Sequence, residues 1–211
     1  MPVRVRQHVN PLSQKYLRPI ELPDWSEVYA HRDRPLHLDI GCGKGDFLLQ
    51  MAALQPEWNF LGVEIRRPVV DYALQRRDEA GLENLHFLFG NVSVSLRSLL
   101  ASLPPNALQR VSIQYPDPWF KKRHQKRRVA QPELVAELAE FLPLGGEVVI
   151  QSDIEEVAQE MGDRFSEHPA FVRTQEGWLA ASPFPAQTER ERVTLEKGQP
   201  VFRAQFIRQP D

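Results

Sequence analysis

Cysteine is almost absent: Cys42 alone stands in 211 residues. One thiol can build neither an internal disulfide framework nor a cysteine zinc site, and a reducing cytoplasm is the compartment it suggests. No grouping of ligand residues suggests a metal. Long apolar runs are missing too. A membrane-crossing helix needs about 20 consecutive apolar residues, and the sequence offers no such stretch. Met1 to Arg18 has early arginines but lacks the apolar core of a secretory signal. What is present is ordinary for a globular chain, with 42% hydrophobic and 26% charged residues, so disorder is not expected. The length suits one domain with an arm.

A strong net charge is also missing, but the value of −2 conceals a division. Six Lys/Arg lie between Lys121 and Arg128 with no acid among them. Set those aside, and 20 basic residues face 28 acidic ones. An acidic body with one strongly basic segment is the footprint of a protein that meets a polyanion. A solvated, mobile loop is the competing explanation of such a run, and its position decides between them.

Residues 1–34 hold Pro2, Pro11, Pro19 and Pro23 among scattered cations such as Arg4, Arg6, His8, Lys15 and Arg18. They read as an irregular, partly basic and flexible N-terminal arm, either a loose tail or a nucleic-acid-binding extension. From residue 35 onward the pattern is regular. Strands are predicted at 36–40, 59–65, 85–89, 110–115 and 146–151, and helices at 47–54, 68–80, 94–103, 132–142 and 154–165. Pro68 starts a helix and Gly81 ends it. A final stretch, 201–207, alternates apolar and polar residues as an antiparallel edge strand would. Strand–helix alternation of this kind means a doubly wound, Rossmann-like α/β fold over 35–211 with a mostly parallel sheet. Ligands in such sheets bind at the carboxyl ends of the strands, where Asp39, Gly41, Glu64, Asn91 and Asp117 all fall.

The loop Asp39-Ile40-Gly41-Cys42-Gly43-Lys44-Gly45-Asp46 offers the backbone freedom that a closely approached ligand needs. A dinucleotide fingerprint would place a small residue at 46, whereas Asp46 would repel a pyrophosphate on the helix N-terminus. Glu64, ending the second strand, can accept from both hydroxyls of an adenosine ribose. Asn91, after the third, stands where a polar residue can meet adenine. Asp39, Gly41, Gly43, Glu64 and Asn91 together are similar to the S-adenosylmethionine (SAM) motifs of class I methyltransferases. Cys42 reads as a small filler of the loop.

After the fourth strand comes Tyr115-Pro116-Asp117-Pro118-Trp119-Phe120, then Lys121, Lys122, Arg123, His124, Gln125, Lys126, Arg127 and Arg128. The prolines stiffen the backbone around Asp117, the rings offer stacking surfaces, and residues 122–128 are positioned to grip phosphates. This segment resembles the signature of the bacterial tRNA (guanine-N7-)-methyltransferase family. The resemblance implies methyl transfer from SAM to N7 of a guanine in the variable loop of tRNA. It also implies that Asp39, Glu64, Asn91 and Asp117 line the cofactor pocket. Lys121, Asp153 and the element Thr188-Glu189-Arg190-Glu191 are implied to meet the substrate. At two positions the chain departs from the commonest residue, with Asp39 for glutamate and Asn91 for aspartate. Guanine N7 carries a free lone pair, so Asp117 is expected to orient the base and balance charge rather than remove a proton. The partner expected is tRNA, not a membrane, and the protein a monomer or homodimer. A small-molecule SAM methyltransferase, a nicotinamide-dependent oxidoreductase and a non-catalytic RNA-binding module are the alternatives that composition and spacing leave open.

Overall fold

The computed structural model describes residues 9–210. Arg4, Arg6 and His8 of the arm lie outside the described residues. Five strands run parallel at the centre: β1 (Leu36–Ile40), β2 (Asn59–Glu64), β3 (Leu85–Phe89), β4 (Leu108–Gln114) and β5 (Glu147–Ser152). Two more, β6 (Phe171–Arg173) and β7 (Phe202–Arg208), complete a seven-stranded sheet of order β3-β2-β1-β4-β5-β7-β6. Strand β7 lies antiparallel between β5 and β6. The antiparallel strand expected from 201–207 is therefore present, and the three-residue β6 outside it forms the actual margin.

Helices cover both faces, as a parallel sheet requires. They are α1 (Trp25–Val28), α2 (Asp46–Leu54), α3 (Arg67–Glu79), α4 (Val92–Ser102), α5 (Pro132–Phe141), α6 (Glu155–Ser166) and α7 (Glu189–Glu196). Pro68 stands in the first turn of α3, where its missing N–H costs nothing, and Gly81 follows that helix at φ +64°. The two faces of the sheet differ in chemistry. Leu36, Leu38, Ile40, Val111, Ile113, Val148 and Ile150 belong to the large apolar core shared with α4, α5 and α6. Alternation along the strands sends His37, Asp39, Ser112, Gln114 and Gln151 to the opposite side, all buried. There they adjoin a second apolar cluster built on Phe47, Phe60, Phe87 and Phe184.

Residues 20–34 are fastened to the body. Ile20 is buried against Gly90, its N–H donating to Ser95 Oγ at 2.9 Å. Trp25 Nε1 donates to Ser102 Oγ at 3.0 Å, and the Tyr29 hydroxyl donates to the Phe60 carbonyl at 3.0 Å.

Candidate active site and RNA-binding segment

The loop after β1 turns through three glycines with positive φ: Gly41 at +80°, Gly43 at +56° and Gly45 at +77°. Their reasons differ. A Cβ on Gly45 would meet Phe87 at 2.5 Å, whereas a Cβ on Gly41 or Gly43 would meet nothing within 4 Å. The third glycine serves packing, and the first two leave the backbone open to a ligand. Gly41 N–H and Cys42 N–H both donate to the Val63 carbonyl, at 2.8 and 3.2 Å, which ties the loop to the end of β2. Glu64, buried at that end, accepts from Gly43 N–H at 3.1 Å and from Arg66, through its backbone N–H at 3.0 Å and its Nε at 2.9 Å. A cavity of about 160 Å³ opens beside them, with Gly41, Glu64, Asn91, Tyr115 and Asp117 in its wall. The open Gly41 and Gly43 backbone and the carboxylate of Glu64 fit the sugar of an adenosine-bearing cofactor.

Asp39 sits behind this wall rather than in it. It is 3% exposed and accepts from Ser112 Oγ at 2.5 Å and Gln114 Nε2 at 3.2 Å. Burial pushes its pKa up to about 6, against the pull of those two hydrogen bonds, with the charge of Glu64 adding to the rise. The same burial holds His37 well below the ordinary histidine range, so it is neutral at pH 7. Its Nε2 lies 2.9 Å from Ser112 Oγ. From Asp39 the polar contacts continue across the sheet. Gln151 Nε2 donates to Gln114 Oε1 at 2.7 Å and to Glu191 Oε2 at 3.2 Å. Arg203 donates to Gln151 Oε1 at 3.2 Å and to Glu191 Oε1 at 2.7 Å. Sequence reasoning missed Ser112, Gln114, Gln151 and Arg203. Their signal was there: polar residues inside strands buried on both faces must find partners.

Asn91 lines the cavity and also caps α4, accepting from Ser93 N–H at 3.1 Å. Its amide donates to the carbonyls of Pro11 and Tyr16, at 3.0 and 3.2 Å. The described part of the arm thereby reaches the cavity rim, where Val9 and Pro11 stand. Asp117 occupies a segment bounded by two residues in the left-handed region, Tyr115 at φ +49° and Trp119 at φ +42°. Glu64, first by hydrogen bonding and then by charge, and Asp117 by charge raise the pKa of Arg66.

The basic run is not uniformly exposed. It forms a 3-10 turn over Lys122–Arg127. Lys121, Lys122, Arg123 and Lys126 are exposed, while His124 and Gln125 are half-buried. The Arg127 guanidinium lies 4.9 Å over the Trp119 ring, and His124 meets that ring edge-on at 5.8 Å. One face of Trp119 is thus taken, and Phe120, 66% exposed, is the open aromatic. Arg128 departs from the expectation of phosphate binding. It is buried, donates to the Pro118 carbonyl at 2.7 Å, and is ion-paired with Glu156 at 2.8 Å and with Glu160. It straps the loop to α6.

The Thr188–Glu191 element opens α7. Thr188 caps that helix, its Oγ1 accepting from Glu191 N–H at 3.0 Å. Glu189 is exposed, and Arg190 Nε donates to Asp153 at 2.8 Å. Glu191 is 1% exposed and paired with Arg203. The structure brings Asp117, Glu64 and Asn91 to one cavity and places Asp39 and Glu191 at the two ends of a buried polar file that meets the cavity wall at Gln114. Among the described residues no group of His, Cys, Asp or Glu is arranged to hold a metal.

Sheet order, glycine loop and acid-tipped strands define a class I SAM-dependent methyltransferase fold. The KamB 16S rRNA methyltransferase shares it at a TM-score of 0.59 with 15% identity, over 85% of this chain and 90% of that one. The profile of a family described as "Putative methyltransferase" matches residues 33–204. A protein of Synechococcus elongatus named tRNA (guanine-N(7)-)-methyltransferase is 60% identical over 99% of this chain and 98% of its own length. One of Trichormus variabilis with the same name is 58% identical over 98% and 96%. The chain belongs to the tRNA (guanine-N(7)-)-methyltransferase family.

Proposed function

We infer that the protein transfers a methyl group from SAM to N7 of a guanine in the variable loop of tRNA. The observation that carries this reading is the shared loop. Asp117 stands in the cavity wall, and the exposed Lys121, Lys122, Arg123 and Lys126 follow it in the same segment. A polyanion gripped by those cations would present a base at the mouth of the cofactor cavity. A small-molecule methyltransferase would leave the cations without a purpose.

SAM supplies a methyl group on a positive sulfonium, which is the difficult part of the chemistry. With SAM bound, Glu64 would accept from the ribose hydroxyls, its carboxylate held in place by Gly43 and Arg66. Gly41 and Gly43 would admit the cofactor close to the backbone, and Asn91 would border its adenine. Asp117 accepts from guanine N–H groups and balances the charge that grows on the ring. N7 needs no deprotonation, so positioning and electrostatics supply the rate. Lys121, with Asp153 and the Thr188–Glu191 element, flanks the base after its extrusion from the tRNA fold. Of the residues before the domain at 35–211, residues 20–34 pack onto its core, and residues 9–19 act as the described part of the arm. No helix among the described residues is long and apolar enough to cross a membrane, and the cytoplasm, where tRNA is found, is the place of action.

Incubation with methyl-labelled SAM and an unmodified tRNA transcript, followed by mapping of the label, tests the function. Label on N7 of a variable-loop guanine is expected, and label elsewhere or none overturns the reading. The grip has its own test. Replacing Lys122, Arg123 and Lys126 together with alanine should flatten the slope of log affinity against log salt by about 2–3, close to one unit per lost phosphate contact. Arg128→Ala should leave that slope unchanged and lower the melting temperature instead. The reverse pattern would show that Arg128 contacts RNA and the other three do not.

A further inference from the structure

Tyr115 is costly in two independent ways. Its φ of +49° is a conformation that bulky residues seldom adopt. Its hydroxyl is sealed from solvent with no hydrogen-bond partner among the described residues, although a buried hydroxyl ordinarily finds one. Strain and an idle polar group at one residue point to use rather than to packing. The place agrees. Tyr115 N–H donates to the Gln151 carbonyl at 2.8 Å, the residue lines the cofactor cavity two positions before Asp117, and the charges of Glu191, Arg203, Asp153 and Arg190 all act on its hydroxyl. Burial, and after it the charge of Glu191, raises the phenol pKa above its ordinary value. The group is therefore a neutral donor at any physiological pH.

Guanine presents its O6 acceptor next to N7, on the edge that must face the methyl donor. Adenine presents an amino group at the same place. We propose that Tyr115 is a specificity-determining residue whose hydroxyl donates to O6 of the target guanine while Asp117 accepts from its N–H groups. This rests on the tRNA-guanine reading above. The charges of Glu191 and Arg203, and then of the Asp153–Arg190 pair, reach the Tyr115 hydroxyl. Arg190 is 62% exposed, and its side chain swings into solvent to admit the base.

Tyr115→Phe keeps the ring and the backbone and removes only the idle hydroxyl. Its melting temperature should equal or exceed that of the unaltered protein, its SAM affinity should not change, and its kcat/KM for tRNA should fall about tenfold, mostly through KM, as for one neutral hydrogen bond. The decisive measurement compares transcripts carrying guanine or 2-aminopurine, which lacks O6, at the target position. The preference for guanine should be about tenfold smaller in Tyr115→Phe than in the unaltered protein. Equal preferences in the two proteins overturn the proposal, and so does a loss of activity accompanied by a matching loss of stability. Failure of the unaltered protein to methylate the guanine transcript would instead bring down the underlying reading, and the proposal with it.

Discussion

Asp117→Ala should lower methyl transfer to tRNA by about 100-fold or more while SAM still binds within about tenfold of its normal affinity. The first figure follows from what the carboxylate is placed to do. The guanine ring becomes cationic as its N7 takes the methyl group, and removing one preorganised group that stabilises such charge typically costs 10²–10³ in rate. The second follows from the neighbours. Glu64 retains its hydrogen bonds from Gly43 and Arg66 without Asp117, so the cofactor side of the cavity keeps its shape. Single-turnover rates with saturating tRNA, beside equilibrium SAM binding, separate the two effects. Full turnover in the variant would remove Asp117 from the mechanism. A parallel collapse of SAM affinity would make it a cofactor ligand only.

The second large effect is on stability. Glu191→Ala strands Arg203, whose side chain is 5% exposed, with a buried charge and only the Gln151 oxygen as a described partner. Removing one member of a buried pair costs about 3–5 kcal/mol, which for a chain of this size is a fall in melting temperature of about 6–20 °C. Replacing both members, Glu191→Leu with Arg203→Met, should return most of that loss because no uncompensated charge remains. Thermal denaturation of the two variants checks the sign. If Glu191→Ala melts within a degree or two of the unaltered protein, the pair does not carry the weight that its burial implies. If the double variant regains stability without regaining transfer, Glu191 serves the substrate as well as the fold.

Much of the fold was legible because its signals are local. Pro68 and Gly81 bracket α3, and the five central strands are short apolar runs closed by polar residues. The cavity was legible for a related reason: Gly41, Glu64, Asn91 and Asp117 stand at strand ends, so ordering the strands also gathers them. The remainder depends on contacts that sequence spacing does not encode. Arg128 ends a run of cations, and nothing in the run distinguishes it from Lys126. Its inward turn is decided by Glu156 and Glu160, one turn apart on α6. Helix α7 escaped because its buried residues are Glu191 and Thr194, so its sequence lacks an apolar stripe. Strand β6 has three residues and is recruited by β7. Asp39 was expected to line the cofactor pocket, but partners more than 70 residues away on β4 hold it behind the cavity wall.

The amides of Gln114 and Gln151 have one permitted orientation each. Gln114 gives its N–H to Asp39 and takes one from Gln151, and Gln151 gives its own to Gln114 and Glu191. Turning either amide over would set oxygen against carboxylate at one end and N–H against N–H at the other. For the lineage of this chain, that makes the file a ratchet against piecemeal change. A single exchange at any of these positions leaves a buried group stranded, whereas a joint exchange toward apolar residues passes without that cost. Drift at Asp39, Gln114, Gln151, Glu191 and Arg203 is therefore expected to come in blocks, even though these positions are spread over four strands and a helix.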